Sequence, residues 1–491
     1  MLESDKFYAI IDYLEAHPNA LEQGCTHAER RETHISVVLL TASFAFKFKK
    51  PVSLGFIEQA NLAARLENCR QEIALNSRLS DGVYLGIRGI HHSREKFSIS
   101  PILENALEYC VQMNRLNEAD SLLGRLKKDT INLIDCDRIA LKLARFHAKL
   151  RADRSDSNVY QFEKNLSDNL KALRQSGRSD ETMLAGIEDL FQAKRPSLER
   201  RVKQGRIIDG HGDLRLEHVF LHNDQSNIID CVEFNASIRS VDPLEDIAFL
   251  SLGFRMEDRE DLATSFLNAY YSYSFDPHPE LITLFEIYRA TVRMKIDLIQ
   301  LSESIDPNRS SYLNRRYEKY GELIRAFLKK QEIAKLRSIS MTLVLGPPLS
   351  GKSTRARELS HIESAVVLAT DVARKILLKT DIFENVSTKF SEKYYSPRLK
   401  SRVYRYVRAT AKRYLQQGYS LILDGTFSRK IERKRFADLA DALGVKMRVE
   451  LLDIDETTAA QRIETRKHSD SISDLKDLAT WKKVRSEFEP L

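Results

Sequence analysis

Gly346-Pro347-Pro348-Leu349-Ser350-Gly351-Lys352-Ser353-Thr354 follows the apolar β run Met341–Leu345 and leads into a helical pattern. The stretch fits G-x-x-x-x-G-K-[ST], and a strand before it with a helix after it is the setting that this spacing needs. Glycines let backbone N–H groups converge on phosphate oxygens, and the helix turns its positive end toward the same anion. Lys352 then neutralises β/γ-phosphate charge, and the Ser353 hydroxyl can ligate Mg²⁺. Further apolar β runs at Ala365–Ala369, Leu421–Leu423 and Met447–Ile454 alternate with helical segments. That alternation predicts βαβ units on a parallel sheet.

Two acids stand where strands of this module end. Asp424 closes Ser420-Leu421-Ile422-Leu423, a position from which a carboxylate can hold the magnesium shell. Asp371 follows Ala365–Ala369, where it can accept a proton from an attacking hydroxyl or simply cap the next helix. Downstream, Arg462 and Arg466 are one helical turn apart and could clamp a transferring phosphate from a lid. Arg398–Arg413 interleaves basic residues with an apolar stripe (Leu399, Val403, Tyr406, Val407, Tyr414), which predicts an amphipathic helix with a solvated basic face.

The polar connector Lys329–Arg337 separates this module from a first half of different character, so two domains are expected, 1–337 and 338–491. In the first half, Ile208-Asp209-Gly210-His211-Gly212-Asp213-Leu214-Arg215-Leu216-Glu217-His218-Val219 precedes β runs at Val219–His222 and Ile228–Glu233. His-x-Asp followed by a strand carrying Ile-Asp is the catalytic and metal loop of kinase-like phosphotransferases. Asp213 would take the acceptor's proton, His211 would order the loop, and Asp230 would ligate Mg²⁺. Earlier, His34–Leu40 and Phe44–Lys49 read as strands, and the alternation of the second places Lys47 and Lys49 on one face opposite Phe44, Phe46 and Phe48. Helical patterns cover Asn61–Leu79, Ile139–Leu150, Val159–Arg174, Asp180–Gln204 and most of Leu244–Lys330.

Composition sets the frame. The 491 residues exceed one ordinary domain, and few glycines (18) and prolines (12) favour long helices over a loop-rich all-β fold. The net charge of +7 suits an anionic ligand such as a nucleotide and does not imply nucleic-acid binding. The five cysteines form no CxxC pair, which excludes a disulfide framework and a cysteine zinc site. The charged N-terminus and the absence of a long apolar run predict a cytoplasmic chain with no membrane partner.

With those residues in view, the second module resembles the small P-loop kinases of the gluconate kinase, zeta-toxin and polynucleotide kinase group. The match is carried by the Lys352 loop, by Thr370-Asp371-Val372-Ala373-Arg374 and by Asp424-Gly425-Thr426-Phe427. The resemblance implies that Asp371 contacts the acceptor hydroxyl. It also implies a fifth strand, where only four β runs are read. The first half looks like the aminoglycoside phosphotransferase family, with its two-lobed, protein-kinase-like α+β fold. This implies that Lys47 or Lys49, with Lys47 preferred, pairs the α/β-phosphates and that Glu72 is its ion-pair partner. It makes Leu107–Met113, including Val111 and Met113, the hinge that bonds adenine. His218 stands where that family has a metal-binding asparagine, and no GxGxxG loop is present. The order of the two modules resembles a bacterial fusion of such a domain with a P-loop kinase domain. The expected function is ATP- and Mg²⁺-dependent phosphoryl transfer to a small hydroxylated acceptor from two nucleotide sites. The alternatives are a regulatory nucleotide-binding protein with a degenerate first module and, third, a nucleic-acid end kinase.

Overall fold

The computed structural model describes residues 3–53, 57–93, 96–150, 152–153, 157–222, 225–333, 339–380, 382, 396–466 and 478–490. The chain divides into two compact units, Met1–Ile131 with Leu150–Asn158 and Gln204–Gly253, and Asn132–Lys149 with Val159–Lys203 and Phe254–Leu491. The fold is α+β in the first and includes an α/β parallel sheet in the second.

In the first unit, β1 (Glu29–Glu32), β2 (Ser36–Leu40), β3 (Phe44–Lys49), β4 (Tyr84–Ser93), β5 (Lys96–Ser100) and β6 (Glu108–Asn114) form one antiparallel sheet. Their order is β1-β2-β3-β6-β4-β5. The period-2 pattern of β3 separates two cores. Phe46 and Phe48 are buried against Phe7, Ile10, Ile11 and Leu14 of the helix Glu3–Ala16. Burying each such phenylalanine contributes about 1.5–3 kcal/mol. On the other face the helix Leu62–Asn76, capped by Asn61 accepting from the Ala64 N–H, lays Glu72 opposite the lysines.

β1 and β4 were not expected from the sequence. β1 is the wholly polar Glu-Arg-Arg-Glu at a sheet edge, and β4 carries Gly86 and Gly89, so neither shows an apolar alternation. The short strands β7 (Ala152–Asp153), β8 (Ile207–Asp209), β9 (Val219–His222), β10 (Gln225–Ile228) and β11 (Ser240–Val241) frame the loop His211–His218. The expected run Ile228–Glu233 pairs only as far as Ile228, because Asp230 takes the left-handed φ of 62° and leaves the ladder.

In the second unit, β12 (Ser340–Leu345), β13 (Val366–Ala369), β14 (Leu421–Asp424) and β15 (Lys446–Leu451) are all parallel in the order β13-β14-β12-β15. These four are the β runs read from the sequence; among the described residues the sheet has no fifth strand. The helix Glu260–Ser274 lies on the outer edge, where the Val367 N–H donates to Ser272 Oγ at 2.9 Å. Tyr271, Tyr414 and Tyr419 cluster with ring centroids 5.6–5.7 Å apart, and Tyr414 donates to the Asp276 carbonyl at 2.7 Å. This compact unit takes in elements on both sides of the expected boundary. The helix Pro397–Gln416 buries Leu399, Val403, Val407 and Tyr414 and exposes Arg402, Arg405, Lys412 and Arg413. Among the described residues no helix is long and apolar enough to cross a membrane.

Candidate functional site

Between β8 and β9 the chain turns through His211-Gly212-Asp213. Gly212 holds φ +83°, and a Cβ there would lie 3.1 Å from the Ile238 carbonyl, so the turn favours glycine. The fully buried Asp246 carboxylate accepts the N–H groups of His211 (2.8 Å) and Gly212 (2.9 Å). His211 faces the Ile229 carbonyl through Nε2 at 2.9 Å and the Asp213 N–H through Nδ1 at 3.3 Å. A carbonyl only accepts and an N–H only donates, so the ring is neutral with its proton on Nε2. Burial pushes its pKa down, which agrees. His211 thus ties the loop to the segment that carries Asp230.

Opposite the loop, β3 presents both lysines to one glutamate. Glu72 meets Lys47 Nζ at 2.9 Å and Lys49 Nζ at 2.5 Å. The lysines then diverge. Lys47 continues to Asp230 at 2.8 Å, while Lys49 pairs with the buried Glu233. The sequence alternation left the two lysines equivalent; the geometry places Lys47 beside Asp230 and seals Lys49, fully buried, behind it. Burial opposes ionisation of Asp230, but the charges of Lys47 and Arg215 outweigh it and hold its carboxyl well below the usual range.

Asp213, His218 and Asp230 form a group whose ligand atoms all lie within 4.8 Å of one another, a set that could hold a metal ion. His218 Nε2 is 3.4 Å from Asp230 Oδ2. The Arg215 guanidinium lies among them, donating to Asp213 Oδ2 at 3.0 Å and standing 2.9 Å from His218 Nε2. Three acceptors converging on arginine and lysine donors make a cation site, and the residues present fit a divalent ion.

In the second unit the phosphate loop joins β12 to the helix Lys352–Glu363. A Cβ on Gly346 would sit 1.9 Å from the Leu452 carbonyl oxygen, so only glycine lets the chain pass. Pro347 and Pro348 have no N–H to give, and their carbonyls accept instead. Pro347 takes Lys352 Nζ (2.6 Å), Pro348 takes Trp481 Nε1 (3.0 Å), and the next carbonyl, Leu349, takes Arg462 Nη1 (2.6 Å). Ser350 is buried beneath the loop, and Gly351 caps the helix with φ +89°. Ser353 donates to Asp424 Oδ2 at 2.7 Å. Burial raises the pKa of Asp424 against the pull of Lys352 and that hydrogen bond. Hydroxyl and carboxylate together fit a Mg²⁺ shell. A cavity of about 500 Å³ opens alongside, lined by Gly351, Thr354, Arg355 and Arg462 among others.

Other expected residues fall differently. Asp371 is not a helix cap; it lies in the first turn of the helix Thr370–Leu378, whose cap is Ala369, and pairs with Arg374. Arg466 ends the helix Glu456–Arg466, and its side chain lies outside the described residues. The hinge assignment of Val111 and Met113 is corrected. β6 lies between β3 and β4, with Val111 paired to Lys47 and Ile87 and Met113 to Ala45 and Tyr84. Their backbone is spent in the sheet and is not free to bond a base. Arg215, Glu233, Asp246 and Trp481 were not singled out from the sequence. For Asp246, an acid one turn into the helix Pro243–Met256 that follows the loop was the available signal.

Residues 341–491 match the family model described as AAA domain. Over 443 residues the chain is 29% identical to uncharacterised proteins of Mycobacterium bovis and Mycobacterium tuberculosis, covering 87% of this chain and 84% of theirs. Among solved structures it is similar to the GDP complex of wild-type aminoglycoside 2'-phosphotransferase-IIIa, at 14% identity over 65% of this chain and 98% of that one, with a TM-score of 0.39. A choline/ethanolamine kinase family protein from Mesorhizobium loti aligns at 14% identity over 66% of this chain and 100% of its own, with a TM-score of 0.34. The AAA domain match begins within β12 and takes in the loop Gly346–Thr354.

Proposed function

We propose that this chain is an ATP-dependent phosphotransferase with a nucleotide site in each compact unit, transferring the γ-phosphate to a small hydroxylated acceptor. The observation that carries it is the gathering of Asp213, His218 and Asp230 within 4.8 Å, with Lys47 joining Asp230 to Glu72. Asp213, about a quarter exposed, is placed to take the acceptor's proton. Lys47 and Arg215 offer positive charge to the phosphates, and Asp246 keeps the loop in register for in-line attack. A divalent ion held by Asp230 and His218 would add charge neutralisation. In the AAA domain, Lys352 and the N–H groups of the helix start meet phosphate, Ser353 and Asp424 would hold Mg²⁺, and Asp371 is the residue offered to an acceptor. No membrane and no nucleic acid are needed as partners.

The test is ATP turnover, together with a metabolite-pool screen for mass gain of one phosphate, on the wild type, Asp213→Asn and Lys352→Ala. Loss of a general base lowers turnover by about 10²–10⁴-fold. The expected result is that decline in Asp213→Asn, with nucleotide binding at the second site lost in Lys352→Ala. Turnover unchanged in both variants would remove the proposal.

A further inference from the structure

The chemistry of His218 carries an inference that rests on the reading of Asp213–Asp230 as a phosphotransfer site and names its metal. His218 is buried, and both ring nitrogens are constrained. Nδ1 lies 2.8 Å from the Asp213 backbone carbonyl, which can only accept, so Nδ1 carries the proton. Nε2 lies 2.9 Å from Arg215 Nη2, which can only donate, so Nε2 must present its lone pair. Two independent neighbours therefore fix one neutral tautomer. An N–H held by a backbone carbonyl, with the opposite nitrogen bare and aimed at carboxylates, is how metal-ligating histidines are oriented. The bare nitrogen faces Asp230 Oδ2 at 3.4 Å, and Arg215 stands at the convergence point while also bonding Asp213 and Glu217.

We propose that His218 and Asp230, beside Asp213, form a mixed imidazole–carboxylate site that takes a first-row transition divalent cation such as Mn²⁺ in preference to Mg²⁺, with His218 Nε2 as a direct ligand and the Arg215 guanidinium as the resident cation that the metal displaces. An amide oxygen at this position is a hard donor suited to Mg²⁺; an imidazole nitrogen is softer and shifts selectivity toward transition ions. Arg215 keeps Glu217 as a partner when it yields and gains the phosphate oxygens of a bound nucleotide.

The experiment uses the full chain with Lys352→Ala and Asp424→Asn, which silence the AAA-domain metal site. Mn²⁺ is added with a non-hydrolysable ATP analogue, and electron spin-echo modulation is recorded on protein with ¹⁴N-histidine and with ¹⁵N-histidine. A histidine-derived coupling that changes with the isotope is expected in this chain and is absent after His218→Asn. Competition with Mg²⁺ should show the Mn²⁺ preference falling about tenfold or more in His218→Asn. The isotope comparison needs no substitution at His218, so it stands even if His218→Asn does not fold. Mn²⁺ bound without histidine coupling, or coupling that survives His218→Asn, overturns the metal assignment and leaves the phosphotransfer reading in place. Failure to bind Mn²⁺ at all, together with unchanged turnover in Asp213→Asn, overturns both.

Discussion

Asp230 in the first unit and Asp424 in the AAA domain are both acids placed at the end of a β segment, and their ionisation moves in opposite directions. Asp230 is held far below the usual range because the Lys47 and Arg215 cations surround it. Asp424 is raised, because burial outweighs both the pull of Lys352 and the hydrogen bond from the Ser353 hydroxyl. Lys352 Nζ points to the Pro347 carbonyl 2.6 Å away, so the lysine proposed to meet phosphate is parked on backbone. The first site is neutralised by its own side chains and must exchange cations to bind a metal. In the proposed function the second would gain its charge partner from what binds. One site is therefore built into the stability of its unit, and the other is nearly independent of it.

The sharpest way to break that contrast is to remove a lysine from each. Lys49→Met leaves Glu72 and Glu233 buried with one cation fewer and should cost about 3–5 kcal/mol in urea unfolding. Lys352→Met, which loses one lysine-to-carbonyl bond, should cost no more than about 1.5 kcal/mol while nucleotide binding at that loop fails. Equal costs would show that the two sites do not differ in this way.

Acid offers a second comparison. Burial opposes ionisation of Glu72, but Lys47 and Lys49 win and hold its pKa below the ordinary value. Its contribution is present above the unfolded-state value of about 4.3 and is lost as pH falls below it toward the depressed folded value. Asp424 has the opposite sign: its raised pKa makes the charged form a cost at neutral pH, and protonation relieves it as pH falls through the raised value. Hydrogen exchange below pH 4 should therefore open the helix Leu62–Asn76 before β12 and β14.

The smallest expected effect sharpens the second site alone. Trp481→Phe removes the bond to Pro348 and should cost about 1 kcal/mol. Trp481 is the chain's single tryptophan, so its emission reports on the phosphate loop. Adding Mg·ATP should shift that emission in the wild type and in Asp213→Asn but not in Lys352→Ala.

Local spacing made the phosphate loop, the four parallel strands and the His211–Asp213–Asp230 constellation legible, because each rests on residues close in sequence or on strict periodicity. Contacts between distant segments were not legible. Alternation cannot separate Lys47 from Lys49; what separates them is Glu233, which reaches Lys49 across 184 positions. Trp481 meets Pro348 across 133 positions, and a lone tryptophan near a chain end carries no periodic signal. Glu108–Asn114 reads as a strand without revealing that it lies inside the sheet, paired on both sides, rather than at its margin.

The bond from Val367 to Ser272 has a practical consequence. A bare strand edge offers unpaired N–H and C=O groups that recruit strands from other molecules. A chain trimmed to begin at residue 338 would keep every residue of the phosphate loop, yet lose Ser272 from the margin of β13 and Tyr271 from its aromatic cluster. Such a fragment would be prone to edge-to-edge aggregation, so the helix Glu260–Ser274 serves the AAA domain as a guard against self-association although it is encoded well before residue 338.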